Sequence, residues 1–311
     1  MRVIIIGGTG FIGRRLCVTL KEKGHDVVVT SRSPERAERL FSGHVTAAGW
    51  DGADPDALAR VLDAGHGPQA VVNLAGDNIA SGRWTQQKKA RILDSRVRVG
   101  GALAAAVAKA DAQVQAVVQG SAVGYYGPQA SADDKELAED LPAGPGFLAD
   151  VCTQWEAAVA GVAEHGVRVA YARTGIVLGM NGGVLERFLP PFKMYVGGPL
   201  GGGGQWFPWV HVQDEVGALA FLVDCEDAQG AFNLSAPGVV RMGDFCKELG
   251  RALDRPSWLN VPRFALRLAM GEMADEMILS SIRAVPRRLV EKGFVFRYPF
   301  LQDALEDIIN D

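Results

Sequence analysis

Nothing in this 311-residue chain is apolar for long enough to cross a membrane; no stretch approaches the roughly 18 consecutive apolar residues a span needs. There is no basic cluster, and a net charge of −4 speaks against a nucleic-acid surface. Cysteine is scarce: Cys17, Cys152, Cys225 and Cys246 show neither metal-ligand spacing nor a disulfide pattern. The apolar residues after Met1-Arg2 stop at Gly7-Gly8, too soon for a secretory leader, and no small-residue cleavage site follows. Internal repeats and low-complexity segments are also missing. The absences imply a reduced, cytoplasmic, soluble protein with no metal, nucleic-acid or membrane partner. What is present suits an enzyme: 48% hydrophobic residues furnish a core, and 22% charged residues are ordinary for a soluble domain. The length allows one large or two ordinary domains.

The most informative stretch is the first. Val3 to Ile6 is a short β-branched run suited to a strand buried on both faces of a parallel sheet. It breaks at Gly7-Gly8, and a helical apolar pattern starts at Phe11-Ile12 and stops near Gly24. Gly8, Gly10 and Gly13 fit the G-x-G-x-x-G dinucleotide fingerprint, and Gly7, Gly10 and Gly13 fit a wider G-x-x-G-x-x-G form. In such a turn the glycines allow a tight bend, backbone approach to a pyrophosphate, and close packing of helix on strand. The phosphates then lie at a helix N-terminus, where free N–H groups and the dipole favour an anion. Gly7, Thr9, Gly10, Phe11, Ile12 and Gly13 are therefore candidate cofactor contacts.

A second strand, Asp26 to Thr30, ends at Ser31-Arg32-Ser33-Pro34. An NAD-binding chain usually has Asp or Glu there for the ribose 2′-OH; Arg32 instead suits a 2′-phosphate, with Ser31 adding a hydroxyl, so NADP(H) is favoured over NAD(H). After a helix over 34–41 and a strand near 45–48, Trp50 is placed either to stack on adenine or to pack in the interior. A helix over 55–64 precedes strand 69–73, whose end, Asn73-Leu74-Ala75-Gly76, brings backbone against the middle of a dinucleotide. Asn78 lies in the polar loop that follows, a candidate substrate contact. A long helix over 86–110 carries Arg96, which either faces solvent or reaches the site. Strand 114–119 ends in Gly120-Ser121-Ala122-Val123-Gly124-Tyr125-Tyr126-Gly127, hydroxyls at the carboxyl end of a parallel strand, where open α/β sheets bind ligands.

A helix over 147–165 carries Cys152, Trp155 and Glu156, and strand 167–172 ends at Arg173-Thr174-Gly175. This alternation predicts an α/β fold, a doubly wound parallel sheet of the NAD(P)-binding Rossmann kind. Beyond Gly175 the pattern changes. A helix over 183–195 contains Pro190-Pro191 and is expected to break or kink, and Gly197 to Gly204 reads as a mobile lid or plain connection. Asp214 reads as the N-cap of helix 215–223, and His211 binds substrate or satisfies a backbone carbonyl. Residues 1–175 with 207–235 form the predicted NADP-binding domain; 176–206 with 236–311 form a smaller C-terminal α/β substrate-facing part.

Gly7 to Gly13, Asn73 to Gly76, the Ser121 strand end and Arg173-Thr174-Gly175 resemble an extended short-chain dehydrogenase/reductase of the nucleotide-sugar epimerase/dehydratase type. Ser121 to Gly127, Phe147-Leu148-Ala149 with Cys152, Trp155-Glu156, Trp206 to His211, and Gly271 to Asp275 with Pro286, Leu289 and Gly293-Phe294 are similar to an atypical branch, the epimerase family proteins. The resemblance implies cofactor contacts at Leu74, Ala75, Gly76, Arg96, Ser121, Arg173 and Gly175. These reductases carry Tyr-x-x-x-Lys on the helix after the fifth strand. With Glu156 as anchor, Leu148 and Cys152 fall at those places, or Phe147 and Val151 one residue earlier; neither register has the pair. Ser121, Tyr125 and Cys152 are the candidate replacements in catalysis, Cys152 alternatively being a small buried hydrophobe. Glu156 reads as a base or a structural ion-pair partner. Asn78, Tyr126, Trp206 and His211 are candidate substrate contacts. The leading expectation is an NADP(H)-dependent oxidoreductase or epimerase-like protein acting on a small carbonyl or sugar-like metabolite, as monomer or homodimer. A non-enzymatic NADP(H)-binding redox sensor or regulator is the second, and cysteine chemistry at Cys152 the third.

Overall fold

The computed structural model describes residues 1–310. Its first half alternates β1 (Arg2–Ile6), α1 (Phe11–Glu22), β2 (Asp26–Ser31), α2 (Pro34–Leu40), β3 (Thr46–Gly49), α3 (Pro55–Asp63), β4 (Gln69–Asn73), α4 (Gln86–Lys109), β5 (Val114–Ala122), α5 (Phe147–Ala157) and β6 (Arg168–Thr174). The second half runs β7 (Ile176–Leu178), α6 (Leu185–Lys193), β8 (Trp206–Phe207), β9 (Trp209–His211), α7 (Val212–Asp224), β10 (Gly230–Leu234), β11 (Val240–Arg241), α8 (Met242–Ala252), α9 (Arg263–Met270), α10 (Arg287–Glu291) and α11 (Leu301–Asn310). Seven strands form one parallel sheet in the order β10-β6-β5-β4-β1-β2-β3. The order reverses between β1 and β4, the point at which doubly wound sheets open a ligand crevice beyond their carboxyl ends.

Alternation along the strands builds two cores. Val3, Ile5, Val27, Val29, Val72 and Val118 face α1 and α7. Ile4, Ile6, Val28, Val71, Val117 and Val169 face α3 and α4. Burial on both faces explains why these strands read as unbroken apolar runs. A third core belongs to the C-terminal half: Phe188 and Phe192 of α6 meet Phe207, Trp209, Phe245 and Leu249, with Leu301, Leu305 and Ile308 of α11.

The local structure bears on four expectations. Helix α6 is not broken at Pro190-Pro191 and ends only at Lys193, because its buried Leu185, Phe188, Leu189 and Phe192 hold it in the third core. The 197–204 glycine segment is strapped: Gly197 O accepts from Trp258 N at 3.0 Å, Gly201 N donates to Val261 O at 2.8 Å, and Gly243 N donates to Gly203 O at 2.8 Å. His211, not Asp214, caps α7, its Nδ1 accepting from Gln213 N at 3.1 Å. Asp214 sits inside the first turn, where its carboxylate accepts from the backbone N–H groups of Arg297 (2.7 Å) and Tyr298 (2.9 Å) and so anchors the chain end. The helix expected over 147–165 stops at Ala157 and resumes as 3₁₀ turns over Ala160–His165.

Candidate active site

At the crevice, Gly7 takes φ +84°, and a Cβ on it would lie 2.9 Å from the carbonyl carbon of Leu74. One on Gly13 would lie 2.4 Å from Gly7 O. A Cβ on Gly8 would lie 2.7 Å from the Val29 side chain, whereas one on Gly10 would meet only Gly7 O at 3.3 Å, so the tightest packing of strand end, turn and helix is at Gly7, Gly8 and Gly13. Gly10 N donates to Gly7 O at 3.1 Å, and no side chain caps the N-terminus of α1. Thr9 and Gly10 are exposed there, with Phe11 and Ile12 half-buried. Arg32 lies at the end of β2, exposed and without a hydrogen bond or ion pair among the described residues, while Ser31 Oγ accepts from Ser33 N at 3.1 Å. Ala75 N donates to Asn73 Oδ1 at 3.2 Å, and the Arg96 guanidinium lies against Gly76. Arg96 does reach the site: its Nη1 donates to Asp77 O (3.1 Å) and Ile92 O (2.9 Å), and it stacks on Trp155 at 4.7 Å.

Beyond Arg96 opens a cavity of about 160 Å³, lined by the ends of β5 and β6, one side of α5, β8 and the turn over 276–282. It brings together Arg96, Cys152, Gly175 and Trp206 from the candidate residues. The others fall elsewhere. Register pairs Ser121 with Arg173 and Ala122 with Thr174; alternation then puts Ala122 and Thr174 at the cavity and turns Ser121 and Arg173 toward α5. Ser121 Oγ donates to Glu156 Oε1 at 2.7 Å, and Arg173 grips the same carboxylate through Nε (2.9 Å) and Nη2 (3.0 Å). Glu156 raises the Arg173 pKa against the opposing effect of burial. Tyr125 covers that guanidinium at 3.4 Å from its ring centroid, and Arg173 Nη1 donates to the Tyr126 hydroxyl, which donates to Asn233 Oδ1 at 2.8 Å. Ser121, Tyr125, Tyr126 and Arg173 therefore belong to one ion-pair network beneath the cavity, not to its wall.

Trp50 packs in the core, its Nε1 donating to Asp54 O at 2.7 Å. Asn78 turns back on its own loop, accepting from Ala80 N at 2.9 Å; its neighbour Ile79 is the one that lines the cavity. His211 is buried, with its ring 4.0 Å from that of Tyr298. Cys152 touches the cavity, but in mid-helix, where burial first and the Glu156 charge second push its thiol up to about 11; its Sγ donates to Ala122 O at 3.6 Å. A helix N-terminus does not activate it, and the cysteine reading loses its basis.

Several residues at or behind the wall were not among the candidates. Thr174 Oγ1 shares a 2.8 Å hydrogen bond with Glu215 Oε1, a fully buried carboxyl that burial pushes up to about 8. Gln205 is buried, its amide nitrogen donating to Leu200 O and Ile278 O, both at 2.9 Å. Glu276 reaches across from the C-terminal segment, where the chain makes one π-turn over Ala274–Ile278. Phe147 N and Leu148 N, the first amides of α5, donate to its two carboxylate oxygens at 3.1 Å each. Gly146 before them has φ +112°, and a Cβ there would lie 2.5 Å from Glu276 Oε1.

Sheet order, glycine turn and the cavity beyond β5 and β6 define a Rossmann-type α/β protein of the dinucleotide-binding architecture. The chain belongs to the NAD dependent epimerase/dehydratase family, which matches residues 3–235; residues 261–308 match a further domain of unknown function, DUF1731. It is 40% identical to the epimerase family protein SDR39U1 homolog, chloroplastic, of Arabidopsis thaliana, over 100% of this chain and 87% of that one. It is 34% identical to the epimerase family protein YfhF of Bacillus subtilis, over 100% and 99%. Among solved structures, human epimerase family protein SDR39U1 with NADPH superposes with a TM-score of 0.87 at 32% identity, covering 100% of both chains. The chain is thus of the SDR39U1-like branch.

Proposed function

We propose that this protein binds NADP(H) in preference to NAD(H) and acts as an oxidoreductase or epimerase-type enzyme on a small carbonyl or sugar-like metabolite. The observation that carries the cofactor half is the turn at Gly7 and Gly13, where backbone leaves no room for a side chain. The full-length likeness to a relative solved with NADPH supports it. The bound cofactor supplies or accepts a hydride. In this reading Gly7, Gly10 and Gly13 admit the pyrophosphate to the α1 amides, and the unpaired Arg32 meets the 2′-phosphate. Residues 1–175 with 207–235 hold the cofactor; 176–206 with 236–311 close the substrate side, with Trp206 on its wall.

NADPH and NADH titrations followed by nucleotide fluorescence test the reading. Arg32→Ala is expected to weaken NADPH roughly tenfold to a hundredfold, the value of a charge-assisted phosphate contact of about 1.5–3 kcal/mol, and to leave NADH nearly unaffected. Equal losses for both coenzymes overturn Arg32 as discriminator; no saturable NADPH binding overturns the function. The second reading, a non-enzymatic NADP(H)-binding sensor, is favoured by one observation: Ala122 at the strand end, and an α5 without tyrosine or lysine, put no ordinary proton donor at the wall. Turnover of any carbonyl with NADPH removes it.

A further inference from the structure

The geometry points to an uncharged, mostly apolar substrate for the cavity, with Glu276 as the residue that turns phosphorylated molecules away. This rests on the reading that the adjoining crevice holds the cofactor, and it narrows the substrate class that reading leaves broad.

The natural anion site at this wall is the N-terminus of α5, an eleven-residue helix whose first amides and dipole face the cavity end. It is already taken. Glu276 places a carboxylate on Phe147 N and Leu148 N, and the side-chain-free Gly146 is what lets it come so near. The carboxylate satisfies the amides and adds negative charge to the wall.

The cations nearby are committed as well. Arg96 is the one cation lining the cavity among the described residues, and its guanidinium is held by the Asp77 and Ile92 carbonyls over Trp155. Arg241 and Arg283 flank the Trp206 ring at 4.5 and 4.7 Å, but Arg241 is paired with Asp134 and Arg283 with Glu136. Recognition of a diphosphate needs converging free donors or cations, and this wall presents a carboxylate in their place.

The rest of the surface is apolar: Val123, Leu148, Ile176, Phe207, Met277 and Ile282. Its polar exceptions are neutral. Gln205 has both amide hydrogens engaged by backbone carbonyls, and its Oε1, like Ser280 Oγ, is buried with no partner among the described residues. Such a surface suits a compact ketone or alcohol that offers a single hydrogen-bonding group.

The test uses the full chain, with and without saturating NADPH, and follows tryptophan fluorescence, since Trp155 and Trp206 line the cavity. The probes are cyclohexanone, cyclohexanol and benzyl alcohol against UDP-glucose and inorganic pyrophosphate. Saturable binding of an uncharged probe at concentrations where UDP-glucose gives none is the expected result. Glu276→Gln, checked for folding by circular dichroism, is expected to raise affinity for UDP-glucose or pyrophosphate at least tenfold. Failure of every uncharged probe, tighter binding of UDP-glucose by the unsubstituted protein, or a folded Glu276→Gln with no gain for either anion overturns the inference. The NADPH titration stands apart: its failure removes the cofactor reading, and the probe preferences without NADPH still decide this one.

Discussion

Glu215 is the sharpest place to test the energetics of the site. Its carboxyl is wholly buried, has Thr174 Oγ1 as its one hydrogen-bond partner among the described residues, and is pushed up from 4.5 to about 8 by loss of solvent. In the unfolded chain the same group ionises in the ordinary carboxylate range. The folded state therefore holds one proton more than the unfolded state between those limits, and stability falls as pH rises through that window and levels off above the folded value. With about 1.36 kcal/mol per unit of pKa, the loss between pH 6 and pH 8.5 comes to about 2–3 kcal/mol. Glu215→Gln keeps the shape and a hydrogen-bonding group but cannot ionise, so it escapes this loss. Urea unfolding of both proteins across that range is the assay. The variant is expected to gain about 2–3 kcal/mol relative to the parent from the acid end to the alkaline end, whatever its offset at the starting pH. Parallel curves would mean that Glu215 is ionised or solvated in the folded protein and would refute its burial as a neutral acid.

Glu156→Ala leaves Arg173 buried without its partner and is expected to cost about 3–5 kcal/mol of stability, against about 1 kcal/mol for Ser121→Ala, which removes one hydrogen bond to the same carboxylate. Chemical denaturation separates the two; equal small losses would show the network to be solvated. For the thiols, a disulfide reagent near neutral pH is expected to label the half-exposed Cys225 first and Cys152 only with denaturant, since burial pushes Cys152 up to about 11. Rapid modification of Cys152 in the folded protein would restore the cysteine chemistry set aside above.

How much of this could be read from the chain depends on where the determining contacts lie. The β1-turn-α1 unit was legible because its constraints are local: Gly7, Gly10 and Gly13 are neighbours in sequence, and strands buried on both faces need no partner to look apolar. Ser121 against Ala122 was legible in principle, since alternation from Val117 and Val118 assigns each a face, yet a hydroxyl draws more notice than a methyl. Asp214 misled for a related reason. An acid before an apolar helix looks like a cap, but its partners are backbone amides of residues 297 and 298, and the ring before it caps instead. The Gly197–Gly204 stretch read as mobile because glycine frees a chain; residues 258–261 tie it down.

The α5 N-terminus shows why the chemistry resisted a reading by motif. Searching this helix for a tyrosine and a lysine treats the helix as the source of the site's polar groups. Here its amides are the recipients, and the group that meets them lies 129 residues further along the chain. The resemblance in the C-terminal segment covers Gly271 to Asp275 and resumes at Pro286, passing over Glu276, the side chain that enters the cavity. A segment with its own family match, 261–308, thus supplies a wall and a charge to a site whose floor belongs to the match over 3–235. Whatever proton this site handles must pass the groups that face the cavity. Ser121, Tyr125 and Tyr126 are held in the Arg173 network, so those groups include Thr174, with Glu215 behind it, on one side and Glu276 on the other, with Cys152 and Ser280 also on the wall. Burial favours the protonated form of the Glu215 carboxyl, and the Glu276 carboxyl accepts hydrogen bonds from the first two amides of α5. The two carboxyls belong to α7 and to the C-terminal segment, so neither lies along α5.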